Sequence, residues 1–243
     1  MPGAPLPAPA RRHARAVSAR TDLWLATLSR LTRDALPPSP ARVIELGCGP
    51  AGGVVPMLRA DGYDAIGVDP RAPEEPHYMQ VEFEAAELPP GVDAVVASMS
   101  LHHVGDPAGV LDRIASTLGP EGRVVVVEWD WASFDDATAE WCFERLDRDA
   151  EPGWLHRRHE GWLASGEPWY AYFTGWAHEH GLHDTNDLLP LLDERFERLH
   201  FERGAYFFPE LAGTNEEDEL AAIRDELIRP ARVDYVGRVK IAG

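Results

Sequence analysis

The chain of 243 residues is long enough to bury a full hydrophobic core, and its 44% hydrophobic and 26% charged residues are ordinary globular values. The formal net charge of −18 argues against binding to a nucleic-acid backbone or to an anionic membrane surface, since both need concentrated positive charge. We expect a single cytoplasmic domain over residues 1–243, because the only two cysteines lie in unrelated segments and no apolar run approaches the roughly 18 residues of a membrane span.

The first predicted element is a helix over residues 12–36, in which apolar residues recur at helical spacing. Pro37, Pro38 and Pro40 follow it and lead into the first strand. The residues before the helix are proline-rich and lack the apolar segment of a secretory signal.

A glycine-rich corner follows the first strand. The apolar residues Val43, Ile44 and Leu46 indicate a buried parallel strand, and Gly47, Gly49 and Gly52 follow it before the opening of a helix. A backbone without Cβ atoms can approach a ligand closely. This corner therefore predicts a nucleotide-like ligand beyond the carboxyl end of the strand.

The corner fits two kinds of ligand, a dinucleotide and a cationic ligand. The GxGxxG spacing, with Asp69 twenty residues after Gly49, matches the dinucleotide fingerprint. Glu45, two residues before Gly47, instead makes an acidic-x-Gly-x-Gly loop. A carboxylate at this place suits a cationic ligand better than a pyrophosphate, which needs a bare helix N-terminus.

Polar residues follow each of the next strands. A second strand over residues 64–68 ends at Asp69, whose carboxylate offers two oxygens to the hydroxyls of a ribose. A third strand over residues 77–83 leads to Glu84, and a fourth over residues 93–98 leads to Met99. These residues are expected at one edge of the sheet, because parallel strands end there together.

The segment after the fourth strand carries the most specific pattern. Leu101-His102-His103 precedes Asp106-Pro107, in which Asp is typical of a helix N-cap and Pro of the first helical position. Strand, glycine loop, LHH, DP and the LGPEGR turn at residues 118–123 follow one another in this order. Over residues 41–130 this series resembles the successive motifs of class I S-adenosylmethionine-dependent methyltransferases. A dinucleotide fold predicts no such series and is the minor alternative.

The resemblance implies an α/β fold with a seven-stranded Rossmann-like sheet in the order 3-2-1-4-5-7-6 and an antiparallel last strand. The helix over residues 12–36 would cover the site, and residues 41–130 would form the cofactor-binding core. A helical, aromatic-rich lid would be inserted over residues 131–190. Residues 191–243 would supply the C-terminal strands that complete the sheet.

The implied cofactor is S-adenosylmethionine. Glu84 stands where the family usually has Asp, so a solvated acidic loop remains the alternative for that segment. The cofactor residues implied by the resemblance are Glu45, Gly47, Cys48, Gly49, Asp69, Pro70, Glu84, Ala85, Ser98 and Met99.

Aromatic residues dominate the segment after the fifth strand, where seven of the eight tryptophans fall between residues 129 and 176. A stripe at helical spacing belongs to a core or lines a small-molecule pocket. The position of this stripe in the lid favours contact with the methyl acceptor. The predicted acceptor-binding residues are Trp131, Trp169, Tyr172 and Trp176.

Methyl transfer from a sulfonium needs mainly positioning, and it needs a base only when the acceptor still holds its proton. His103, and after it His102, are the candidate bases, because they follow the fourth strand at the pocket rim. Glu128 and Asp130, at the end of the fifth strand, are further candidates for catalysis. We expect no metal, because the histidines at positions 178, 180 and 183 fit no zinc spacing.

The sequence thus predicts an enzyme that methylates an O or N atom of a small, partly apolar or aromatic metabolite, as a monomer or homodimer. Neither nucleic acid nor a membrane is an expected partner. A methyltransferase-fold binding or scaffold protein is the alternative from another class. An NAD-dependent oxidoreductase is the second alternative, and the sequence favours it less.

Overall fold

The protein is described by a computed structural model at residues 8–147 and 152–240, with side chains from residue 22 onward. Its centre is a seven-stranded sheet with the order β3-β2-β1-β4-β5-β7-β6. The strands are β1 Arg42–Leu46, β2 Asp64–Val68, β3 Tyr78–Met79, β4 Val92–Ser98, β5 Leu118–Trp129, β6 Phe196–Gly204 and β7 Arg232–Val239.

The strand directions distinguish between the two folds that are consistent with the glycine-rich corner, a sheet with an antiparallel last strand and an all-parallel dinucleotide-binding sheet. Strands β1 to β5 are parallel to their neighbours, whereas β7 runs antiparallel to both β5 and β6. An all-parallel dinucleotide sheet is thereby excluded. The expected order and the antiparallel last strand are confirmed.

Eight helices connect or cover the strands within the described residues. Three of them accompany the parallel strands, four lie between β5 and β6, and one lies between β6 and β7. The helices are α1 Ala8–Ala35, α2 Val55–Ala60, α3 Pro107–Thr117, α4 Asp136–Glu144, α5 Trp154–Ser165, α6 Trp169–Glu179, α7 Thr185–Arg195 and α8 Glu216–Arg224.

Apolar side chains form three groups. One face of the sheet packs with α3 and α7, and the opposite face packs with α1 and α2. The third group, which we call the aromatic cluster, joins α4, α5 and α6 to the end of β5. The insertion that follows β5 therefore has a core of its own. The strands end beside it, and this arrangement places the functional site between the insertion and the glycine loop.

Several local boundaries differ from the sequence expectation. The third strand has only two residues and gives way to a 3-10 turn at Phe83–Ala85. The leucine pattern of residues 185–195 predicts a helix bent or broken at Pro190, whereas α7 continues through this proline. The sequence also predicts a last strand over residues 232–241; the observed strand ends at Val239, and residue 241 lies outside the described residues.

No helix within the described residues combines the length and the apolar character needed to cross a bilayer.

Candidate functional site

A cavity of about 910 Å³ opens at the carboxyl ends of β1, β2 and β4. Seven of the residues expected to act at the site line it. They are Gly47, Gly49, Asp69, Pro70, Glu84, Met99 and His103. The cavity is also lined by Leu46, Val68, Arg71, Glu82, Phe83, Ser100, Val104 and Gly105, which the sequence interpretation did not single out as ligand contacts.

The glycine loop forms one wall of the cavity. Gly47 has φ +79°, and a Cβ atom there would collide with the side chain of Ser100. Gly49 has φ +63°, and a Cβ atom there would meet no atom within 4 Å, so its backbone borders open space. Both conformations favour glycine. The loop thus presents bare backbone to the cavity.

Glu45 lies beneath this loop and does not line the cavity. Its Oε2 accepts hydrogen bonds from the amides of Val54 and Val55, at 2.8 and 3.2 Å, at the start of α2. Its Oε1 accepts from the Ser98 hydroxyl at 3.0 Å. Burial raises the pKa of Glu45 to about 7, although these donors oppose the shift. Glu45 and Ser98 therefore position the loop from behind, where the sequence interpretation expected direct ligand contact.

Asp69 borders the cavity where β2 ends, and only 8% of it is exposed. Its Oδ1 accepts from the Arg71 amide at 2.7 Å, while Oδ2 has no hydrogen-bond partner among the described residues. Across the cavity, the buried Ser100 hydroxyl also lacks a protein partner in the described chain. A carboxylate oxygen and a hydroxyl are thus left for a polar ligand.

The 3-10 turn after β3 forms the opposite wall. Phe83 supplies an apolar surface and is buried, while Glu84 is exposed beside it. Ala85 belongs to the same turn but does not line the cavity. Cys48 also lies outside the lining, and burial raises the pKa of its thiol to about 12, so it stays protonated.

Met99 lies between the cavity and the aromatic cluster. It is one of two non-glycine residues with positive φ in the described chain, at 55°. Its side chain lines the cavity and packs against the aromatic cluster. Such backbone strain persists only where the surroundings fix the conformation. The chain therefore turns sharply at the place where cofactor cavity and insertion meet.

The candidate bases differ in their surroundings. His103 lines the cavity, and its pKa is lowered to about 4 by loss of hydration and by the neighbouring His102. It is therefore a neutral imidazole at pH 7. His102 is buried, and its Nδ1 lies 2.5 Å from Oε2 of Glu128.

Glu128 is engaged by the protein itself. Its Oε1 accepts from the amides of Ser100 and Leu101 at 2.7 and 2.6 Å, in addition to the contact with His102. Asp130 is likewise engaged, by Arg203 at 2.5 Å and by the Ser133 hydroxyl at 2.7 Å. Neither carboxylate lines the cavity. Both hold loops in place around it.

The four aromatic residues expected to contact an acceptor all belong to or pack on the aromatic cluster. Trp169 is 3% exposed, and its indole donates to the Phe134 carbonyl at 2.8 Å. Trp131 is also buried, whereas Tyr172 and Trp176 are half-buried. None of these residues lines the cofactor cavity. Within the described residues, no group of three His, Cys, Asp or Glu side chains is placed to hold a metal.

Comparison with known proteins gives a family match over most of the chain. Residues 13–184 match a family model described as a methyltransferase domain. A comparison with curated proteins finds no match.

Several solved structures share the fold. An S-adenosylmethionine-dependent methyltransferase from Mesorhizobium loti is 21% identical, with a TM-score of 0.52 over 85% of this chain and 94% of that one. A possible histamine N-methyltransferase from Thermotoga maritima is 17% identical, with a TM-score of 0.54 over 95% and 96%. A geranyl diphosphate C-methyltransferase from Streptomyces coelicolor, with S-adenosylhomocysteine bound, is 14% identical, with a TM-score of 0.54 over 98% and 88%.

Proposed function

The chain belongs to the methyltransferase family whose domain model spans residues 13–184, and from this membership we propose that it methylates an O or N atom of a small, partly apolar or aromatic metabolite. S-adenosylmethionine, the cofactor of the proposed reaction, supplies an activated methyl group on a sulfonium. The observation that carries the proposal is the 910 Å³ cavity, which joins bare glycine backbone to the unpaired oxygen of Asp69.

The residues around the cavity fit this cofactor. The free Oδ2 of Asp69 is suited to a ribose hydroxyl, and Phe83 offers an apolar surface to a base. The orphaned hydroxyl of Ser100 would gain a partner when the cavity is filled. Glu45 keeps the glycine loop in position without touching the ligand. Pro70, Glu84 and Met99 complete the proposed contacts.

The surroundings of the cavity favour a small acceptor. Met99 separates the cofactor cavity from the aromatic cluster, so an acceptor next to the methyl group would meet apolar side chains. The net charge of −18 disfavours a nucleic-acid acceptor. Two of the structural neighbours named above are described by small-molecule acceptors, one as a possible histamine N-methyltransferase and one as a geranyl diphosphate C-methyltransferase.

His103 is the proposed proton acceptor where the methylated group carries a proton. It lines the cavity, and its lowered pKa keeps the imidazole neutral at pH 7. The same shift makes it a weak base, so it suits an acceptor that loses its proton readily. His102 and Glu128 are proposed to position this segment, since they bind each other and the backbone.

Calorimetry tests the cofactor assignment. We expect S-adenosylhomocysteine to bind with micromolar affinity and NAD to give no heat. Binding of NAD without binding of the thioether would reverse the assignment.

The acceptor class is tested by incubating the protein and labelled S-adenosylmethionine with metabolite pools, bulk RNA and bulk protein. Label in a small molecule is the expected result, and label confined to macromolecules would refute it. Tight cofactor binding with no transfer to any fraction would instead favour the binding or scaffold function.

A further inference from the structure

A second cavity, of about 550 Å³, lies inside the insertion between α4, α5 and α6. It shares no lining residue with the cofactor cavity. Trp169, which the sequence interpretation assigned to the acceptor, lines this second cavity. The insertion therefore has a recess that is separate from the cofactor cavity.

Aromatic rings form the wall of the recess. The Phe143 ring stacks against His159 at 4.3 Å between centroids and against Trp162 at 5.6 Å. Trp169 meets Phe143 edge to face at 5.1 Å. Phe143 and Trp169 are buried, whereas Trp162 and His159 are half-buried, so the latter two leave part of their surfaces to the recess.

Carboxylates occupy the facing rim. Asp136, Glu140 and Glu144 lie at positions i, i+4 and i+8 of α4, and all three line the recess with exposed side chains. Carboxylates four apart on a helix repel each other. Glu144 also stands in the last turn, where the helix dipole disfavours an acid. Repulsion among these carboxylates therefore destabilises α4, and a cation bound in the recess would reduce this repulsion.

The protein neutralises this rim only in part. Asp136 accepts from the Tyr170 amide at 3.1 Å, and Glu144 lies 3.6 Å from Arg145. The Arg145 guanidinium is stacked 4.2 Å from the Trp141 ring, and Arg145 does not line the recess. Glu140 makes no hydrogen bond or ion pair with the part of the chain that the structure describes. Among the described residues that line the recess there is no lysine or arginine, and His159 is the one side chain able to carry a positive charge.

We propose that the recess binds a small organic ammonium ion, with its alkyl groups against Trp162 and its charge near Glu140 and Glu144. An aromatic face attracts a cation through its quadrupole, and facing carboxylates set the sign of the charge that is accepted. The size of the recess suits a compact ligand with a few carbon atoms around nitrogen. The recess shares no lining residue with the cofactor cavity, so the proposed ammonium site is separate from the cofactor site.

Choline and its uncharged isostere 3,3-dimethylbutan-1-ol test the proposal, titrated into the full chain while tryptophan fluorescence or NMR shifts are recorded. S-adenosylhomocysteine is kept at saturation, so that the cofactor cavity is blocked. We expect saturable binding of choline, and at least about tenfold weaker binding of the alcohol. Equal binding of both compounds, or none up to high millimolar choline, would overturn the proposal. Displacement of S-adenosylhomocysteine by choline would do the same.

Three variants locate the binding. Glu140→Gln and Trp162→Leu should each weaken choline binding roughly 3- to 10-fold. Glu160→Gln removes the same charge from an exposed position on α5 outside the recess and should leave binding unchanged. If circular dichroism shows that the Trp162 variant fails to fold, the comparison of Glu140→Gln with Glu160→Gln still tests whether choline binds in the recess. Equal weakening by both of them would mean that choline senses only the net charge, and the site would be rejected.

Discussion

The glycine loop and the aromatic insertion differ in what holds each of them against the sheet. The loop depends on the buried carboxylate of Glu45, and the neighbouring LHH segment depends on Glu128. Glu45 accepts from two backbone amides and Glu128 from three, which fixes the loops in one geometry. The insertion instead depends on contacts between rings, centred on Phe134, Trp169 and Phe173.

The difference matches what each region has to do. Hydrogen bonds to a buried carboxylate are directional, so they place amides and neighbouring side chains to within fractions of an ångström. Burial of apolar area is non-directional and tolerates exchange of one apolar residue for another of similar volume. A region that binds an invariant cofactor gains from the first kind of support. The insertion, for which we propose contact with the acceptor, has the second kind.

The largest expected effect is the loss of stability on Trp169→Ala. Removal of a buried indole leaves a void in the aromatic cluster and should lower the free energy of unfolding by about 3–5 kcal/mol. Affinity for S-adenosylhomocysteine should stay nearly unchanged, because Trp169 does not line that cavity. Urea unfolding and calorimetry measure the two quantities. Tyr170→Ala, at an exposed position, is the control. An equal loss of affinity would show that the two regions are coupled.

The variant Glu128→Gln should lower both the free energy of unfolding and the affinity for S-adenosylhomocysteine. The amide has one oxygen for the donors that Glu128 now shares between two, so at least one buried donor is left unsatisfied, at a cost of about 1–3 kcal/mol in stability. Ser100, whose amide Glu128 holds, lines the cofactor cavity, so affinity for S-adenosylhomocysteine should fall as well. Glu121→Gln, an exposed site on the same strand, serves for comparison. A stability loss without any loss of affinity would break the proposed link between Glu128 and the cavity.

Asp69→Ala should reduce the affinity for S-adenosylhomocysteine without a comparable loss of stability. Loss of the carboxylate leaves ribose hydroxyls without acceptors and should weaken S-adenosylhomocysteine binding by about 1–3 kcal/mol. Calorimetry measures the change, with Glu74→Ala as a nearby exposed carboxylate of equal charge. Unchanged binding would remove Asp69 from the cofactor site.

The remaining expected effect is a pH dependence that originates at Glu45. Its pKa is raised from 4.5 to about 7, so the folded state favours the protonated carboxyl. This contribution to stability is complete below the unfolded-state pKa and is lost as the pH rises through about 7. The wild type should therefore lose about 1–3 kcal/mol relative to Glu45→Gln between pH 5 and pH 8. Parallel pH profiles of unfolding for the two proteins would show that Glu45 keeps its ordinary pKa.

The sequence was sufficient for the sheet and for much of the cavity. The glycine spacing, Asp69 and the LHH-DP series are local patterns, and the sheet order and the family that they indicated are confirmed. The environment of Glu45 could not be read in this way. Its donors are Ser98 and two amides of α2, which come together only in the folded sheet.

The insertion was harder to interpret for a related reason. The i, i+3, i+4, i+7 spacing correctly indicates one helical face, but a core and a ligand wall have the same spacing. The structure buries Trp169 and Phe173 in that face and leaves Tyr172 and Trp176 half-buried. Ser133, with Asp136 three residues later, has the sequence pattern of a helix N-cap. In the structure its hydroxyl instead donates to Asp130, and Asp135 caps α4.

The contacts of Asp130 have a consequence for the length of the insertion. One oxygen of this carboxylate accepts from the Ser133 hydroxyl, and the other accepts from the Thr185 amide at 3.3 Å. A single side chain therefore fastens the two ends of a long excursion of the chain at one point. The entropic cost of closing such a loop grows only with the logarithm of its length. Lengthening the segment between residues 134 and 184 should therefore add little to the entropic cost of closing it, as long as the contacts of the aromatic cluster are kept.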